Sequence, residues 1–149
     1  MRDKNMSADL LTADESTFGQ LPFGLIQTAL GETDSEIRAA AIYILGTRSE
    51  PEAIPLLINC LGDPSQFLAR TASDSLQRLG SVAVPALVGS LQNQDAQTRG
   101  LAARALALIK DPASIPALFK ALDDESTVVQ FWAAEGLERL GVGQVYFKP

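Results

Sequence analysis

The stretch Ala102–Ser126, AARALALIKDPASIPALFKALDDES, decides the fold. It holds the body of one apolar-periodic helix, a proline at the head of a second, and an acidic turn. Working outward from it, the same pattern recurs along the chain. Ala41, Ala72, Ala102 and Ala133 fall in one column, each followed four residues later by Leu45, Leu76, Leu106 and Leu137. The spacings are 31, 30 and 31 residues. A further column, Leu30, Leu61, Leu91 and Leu122, keeps those spacings, and Pro55, Pro85 and Pro116 form another, with Gly24 in the first unit's place. A fixed period of this length marks stacked supersecondary units.

Each unit reads as a helix pair. The first helix is short and opens near its proline, which suits a first turn because the missing N–H would be unsatisfied there anyway. A polar turn follows: Gly31–Asp34, Gly62–Ser65, Gln92–Asp95 and Asp123–Ser126. Each turn closes on Asp or Ser, able to accept a backbone N–H of the next helix. The second helix is longer. Its columns Ile37/Leu68/Thr98/Val129, the alanines, the leucines, and Arg48/Leu79/Ile109/Leu140 lie four, four and three residues apart, on one face. Gly80 and Gly141 stand where two of these helices should stop. One such pair cannot cover its apolar stripe, whereas stacked pairs bury a continuous core. The expected fold is therefore all-α: a short right-handed α-solenoid of four helix pairs over 20–141, with 1–19 as an N-terminal arm or loose cap and 142–149 as a C-terminal tail.

Composition bounds the chemistry. The chain has 149 residues, 46% apolar and 20% charged, which suffices for one core. It contains no histidine, which excludes His-based triads and His metal sites. A single cysteine, Cys60, allows neither an internal disulfide nor a cysteine zinc cluster, and fits a reducing, cytoplasmic setting. No signal-peptide pattern and no run of 18 apolar residues is present, so no membrane span is expected. The net charge of -6 argues against nucleic acid as a partner, since phosphate binding runs on cationic side chains. Neither a P-loop nor a G-x-G-x-x-G, H-E-x-x-H or C-x-x-C motif occurs.

The Ala102–Ser126 stretch resembles the short HEAT-like repeat of the phycobilisome lyase type, and Leu45-Gly46 through Glu52-Ala53-Ile54-Pro55 matches the same pattern. The resemblance covers about four fifths of the chain. The family's arginine near the start of the second helix is present as Arg38 and Arg99, and is replaced by Ala69 and Gln130. The stretch from Val129-Gln130-Phe131-Trp132 to Val145-Tyr146-Phe147-Lys148-Pro149 is similar to the end of small cyanobacterial proteins of phycobilisome degradation. The resemblance implies a HEAT-like solenoid whose second helices line the concave side. It also implies a phycobiliprotein or phycobilisome-associated protein as partner, in chromophore handling, assembly or turnover. The leading expectation is a noncatalytic interaction module without a resident cofactor. The alternative is one subunit of a heteromeric phycobilin lyase that holds a bilin transiently, with arginines on the propionates, while the acceptor cysteine attacks. A HEAT-like DNA-repair glycosylase is disfavoured, since it needs a strongly basic groove and more repeats.

Candidate residues follow from charge and register. With the second helices taken as 36–49, 68–80, 98–110 and 129–141, that layer carries eight basic and four acidic residues, a net +4; the remainder carries four against fourteen, a net -10. Such a layer suits an acidic protein partner, although ladder arginines alone would produce the same bias. The stripe pointing away from the core contains Tyr43, Arg70, Asp74, Gly100, Arg104, Phe131 and Glu135. Tyr43, Arg70, Asp74, Arg104, Phe131 and Glu135 are the expected partner-binding set, with exposed aromatics beside arginines as anchors. Phe131 has a competing reading, packing under the C-terminal tail. Trp132 shares a column with Ala40, Thr71 and Leu101 and reads mainly as packing. Arg38 and Arg99 read as a ladder to the next unit's turn. Arg48, in an apolar column, is expected to reach solvent or an acidic turn over its packed stem. Cys60 aligns with Ala29, Ser90 and Ala121 and reads as an inert, buried thiol. Asp123, Asp124 and Glu125 read as a solvated turn before a helix N-terminus.

Overall fold

A computed structural model describes residues 9–142. Among these, the chain is helical with no strand. Four helix pairs follow one another: α1 Phe23–Ala29 with α2 Ser35–Leu45, α3 Ala53–Cys60 with α4 Gln66–Leu79, α5 Val84–Ser90 with α6 Ala96–Ile109, and α7 Ile115–Ala121 with α8 Thr127–Arg139. Short 3-10 turns at Glu15–Gln20, Gly80–Ala83 and Pro112–Ser114 complete the path. The second helices pack side by side in the order α2, α4, α6, α8, and each is backed by its own first helix.

The columns read from the sequence form the core. Ala41, Ala72, Ala102 and Ala133, and Leu45, Leu76, Leu106 and Leu137, are completely buried. Alanine at one position and leucine a turn later let neighbouring helices approach closely and still interlock. The approach is tightest where the residue is smallest. A Cβ on Gly136 would stand 3.2 Å from Ala107 Cα in the neighbouring helix, and one on Gly46 would stand 2.6 Å from Ser75 Cβ. Buried serines also bond across the layer: Ser75 Oγ donates to the Ile42 carbonyl at 2.9 Å, and Ser73 Oγ to the Leu101 carbonyl at 3.0 Å.

Caps and stops mostly fall as read. Asp34, Ser65 and Asp95 each accept a backbone N–H at the start of the following helix. Ser126 does not; there Asp124 accepts from the Ser126 N–H at 2.8 Å and closes the turn one step earlier. Gly80 and Gly141 adopt positive φ, 74° and 79°, as helix stops. In α6 the stop falls on Lys110, in the left-handed helical conformation with φ 60°.

The N-terminal segment does not hang free from residue 9 onward. Leu10 and Phe18 are buried, and the Phe18 ring stands edge-on to Tyr43 with centroids 6.1 Å apart. Arg48 fastens it: Nη1 donates to the carbonyls of Phe18 and Leu21, while its other nitrogens bond Glu50. The expected reach to an acidic turn is thus met, but the guanidinium is buried rather than solvated. The earlier residues of the arm and the C-terminal Val145–Pro149 segment lie outside the described residues.

Candidate functional site

A trough of about 570 Å³ crosses the N-terminal ends of α4, α6 and α8. One wall is Phe67 and Arg70 from α4; the other is Val128 and Trp132 from α8. Its floor comes from α6, with Ala96, Gln97, Gly100 and Leu101. The trough exists because the middle helix is small where its neighbours are large. Gly100 occupies the position of Arg70 and Phe131 in the adjacent units, and Ala96 that of Gln66 and Thr127. A Cβ on Gly100 would already come within 3.2 Å of Val128 Cγ1.

The six residues expected to form one exposed binding stripe separate into three situations. Arg70 and Phe131 are exposed, Phe131 at 59%. Phe131 stands against Trp132 in a T-shaped contact with centroids 5.2 Å apart. Tyr43 is not a free anchor. Its hydroxyl donates to Glu15 at 3.0 Å, Phe18 covers its edge, and the Arg78 guanidinium lies 4.0 Å above its ring. Arg104 is likewise not on the outward stripe: it is only 9% exposed. Its Nη1 donates to Ser73 Oγ at 3.1 Å and forms an ion pair with the Asp74 carboxylate at 2.8 Å, and its guanidinium carbon lies 5.9 Å from the Trp132 ring centre. This arginine bridges from α6 to α4 on one side and α8 on the other. Asp74 serves as its partner, and Glu135 is held by Arg139 at 3.0 Å on its own helix.

The ladder reading of Arg38 and Arg99 holds. Arg38 donates to Asp63 at 2.9 Å, and Arg99 to Asp124 at 2.9 and 3.1 Å, each reaching the turn of the next unit. Where unit two has Ala69 instead of arginine, the facing turn carries the neutral Asn93. The hydrogen bond from Arg99 holds the Asp124 carboxyl below the usual aspartate range, and Arg99 is raised in turn. With Arg48 on Glu50, these pairs set three acids from outside the second-helix layer against its net +4 and leave most of that charge already matched. Among the described arginines, Arg70 alone has neither a hydrogen bond nor an ion pair.

Cys60 is half-buried, and burial foremost, then the Asp63 carboxylate, pushes its thiol up to about 11, leaving it protonated at neutral pH. No group of three or more acidic or Cys residues is placed to hold a metal among the described residues. No described helix is long and apolar enough to cross a membrane.

Phe67 and Val128 escaped the sequence reading. Both are strongly exposed, at 68% and 56%. Their column is 36/67/97/128, which is polar in units one and three as Glu36 and Gln97. An apolar side chain in an otherwise polar column was the signal that could have found them.

Comparison with known proteins places these features. The family model for HEAT repeats matches residues 23–100 and 84–145. The bilin biosynthesis protein RpcF of Synechococcus sp. is 42% identical over 92 residues, 61% of this chain and 44% of that protein. A phycocyanobilin lyase subunit beta of Nostoc sp. is 34% identical over 113 residues, 75% of this chain and 56% of that one. A phycobilisome maturation protein of Synechococcus elongatus is 34% identical over 117 residues, 78% of this chain and 56% of that one. The chain spans about half the length of these curated relatives.

Proposed function

This chain belongs to the HEAT-repeat family, with repeats of the phycobilisome lyase type, and from that premise we propose that it is one subunit of a heteromeric phycobilin lyase. Two of the three relatives reported above carry bilin biosynthesis or phycocyanobilin lyase in their names. That favours a lyase subunit over a free-standing interaction module, the leading expectation from sequence.

The observation that carries the reading is the character of the trough. Its lining holds one ionisable side chain, Arg70, among apolar, small and neutral polar residues, Gln66 and Gln97 included. Such a surface binds and orients; it offers no group to take or give a proton near pH 7. Cys60 lies outside that lining and is protonated. The covalent step then uses the acceptor protein's own cysteine: its thiol adds across a bilin carbon–carbon double bond, forming C–S and C–H bonds with no leaving group. The part of this subunit is to bring the acceptor and the bilin together, which can contribute several kcal/mol through orientation alone. The phycobilisome maturation protein among the relatives supports a second reading, assembly without attachment.

A reconstituted reaction tests this. The purified chain, a second lyase subunit, phycocyanobilin and an apo-phycobiliprotein are combined, and covalent bilin is read by zinc-induced fluorescence after denaturing electrophoresis. Attachment that depends on the chain supports the proposal. Unchanged attachment when the chain is omitted rejects it; association with the acceptor without any attachment favours the assembly reading.

A further inference from the structure

The trough is bordered by more apolar surface than its own lining accounts for. Among the described residues five large apolar side chains stand strongly exposed, and three of them, Phe67, Val128 and Phe131, gather at this one place. Phe131 lies outside the lining, so an occupant of the trough alone leaves it uncovered. Clustered exposed apolar groups of this kind mark interaction surfaces.

The shape specifies what fits. The walls come from α4 and α8, and the floor from α6 between them. Packed helix axes lie about 8–10 Å apart, so the two wall axes stand roughly 16–20 Å apart and, less the half-width of each wall helix, leave roughly 6–10 Å, enough for a helix to rest its apolar stripe on the floor rather than sink between the walls. An α-helix with its side chains is about 10 Å across. On the floor helix, Ala96 and Gly100 raise little or no side chain into that space, and Val128 leans over Gly100 to form its edge. Charge specifies the rest. Arg70 is exposed on one wall with no acid bound, while the nearest acid on its own helix, Asp74, is already taken by Arg104. An unpaired guanidinium beside exposed aromatics suits a carboxylate held in a largely apolar contact.

We infer that the trough seats an amphipathic α-helix of the phycobiliprotein partner, with apolar residues at i, i+3 or i+4, and i+7 against Phe67, Val128 and Phe131, and with a carboxylate on Arg70. The inference rests on the lyase-subunit reading for the identity of the partner. It follows the helix-in-groove mode of recognition, in which apolar spacing sets the register and one charge pair sets the orientation.

The test uses the full chain with benzoylphenylalanine in place of Phe67 or Phe131, irradiated with purified apo-phycobiliprotein. Crosslinked positions on the partner should fall on one helix, three or four residues apart, with an Asp or Glu on the same face. Arg70→Glu should weaken association more than tenfold, with helix content and melting unchanged because the side chain is exposed. Reversing the partner's carboxylate to lysine should restore binding to Arg70→Glu. The emission of Trp132, the chain's single tryptophan in the trough wall, should shift when the partner binds. Crosslinks confined to loops of the partner, or association indifferent to Arg70→Glu, would overturn the inference while leaving the lyase-subunit reading in place. If the unaltered chain fails to associate with the apo-phycobiliprotein even in the presence of the second lyase subunit, that reading falls and this inference falls with it.

Discussion

Tyr43 and Phe131 are both aromatic residues on the outward side of the second-helix layer, one in the first unit and one in the last. Their surroundings are opposite. Tyr43 is enclosed by Phe18, Arg78 and Glu15. Phe131 remains 59% exposed, beside a trough with a free arginine. The chain's N-terminal segment folds over the first of these and no described segment folds over the second. A repeat position therefore has no fixed role: whatever lies across it decides whether it is core or surface.

This contrast can be broken or sharpened by substitution. The largest effect belongs to the column that both regions share. Leu106→Ala should cost about 2–5 kcal/mol, read by thermal or denaturant unfolding. It should lower the stability of the capped and open regions together, since α6 packs between them. A loss below about half a kilocalorie would mean that the column does not form a common core.

Next comes the fastening of the cap. Arg48→Met keeps the apolar stem but strips the carbonyls of Phe18 and Leu21 and the Glu50 carboxylate of their donor. A loss of about 1–3 kcal/mol is expected, with faster amide exchange at the N-terminal segment than at α6 or α8. Uniform exchange along the chain would show that the segment is not a separately held cap.

The pair Tyr43→Phe and Phe131→Ala addresses the comparison directly. Tyr43→Phe removes one hydrogen bond to Glu15 and should cost about 0.5–1 kcal/mol, with no change in partner association. Phe131→Ala should change stability by no more than about 0.5 kcal/mol while weakening association with an apo-phycobiliprotein several-fold. The opposite pattern would exchange the two assignments.

The smallest effect is a pH signature of the ladder. Asp124 is held below the usual aspartate range, first by its hydrogen bond from Arg99. A group with a depressed folded-state value stabilises above its unfolded value, and that contribution is lost as pH falls through the folded one. The stability difference between the parent chain and Asp124→Asn should therefore persist at neutral pH and fade below about pH 4. A difference that stays constant down to pH 2 would mean that the carboxylate charge contributes nothing at this joint.

The fold was legible because its signal is periodic and local. The 30–31-residue columns, the turn acids, and the glycines at 80 and 141 each act within one helix or one turn, so their roles survive in the linear order. Arg38 and Arg99 were readable for the same reason, since the repeat carries both the arginine and the turn it reaches. Arg104 was not. On its own helix it belongs to the outward stripe; only the closeness of Ser73 and Asp74 on one side and Trp132 on the other draws it in. The positive layer was likewise misleading as a surface, because counting charges cannot show which of them are already paired.

By itself, the sequence determined the architecture of this protein: four stacked helix pairs, their register, their buried alanine and leucine columns, and the kinship carried by the repeat. Burial of an amphipathic stripe depends on spacing along the chain, and spacing is written in the linear order. Only the tertiary structure decided the surface proposed for binding. It left Arg70 free while pairing or bonding the other described arginines, covered Tyr43, and brought Phe67 and Val128 to opposite walls of one trough. Those outcomes depend on distances between residues 25 to 61 positions apart, and such distances are set when the helices pack.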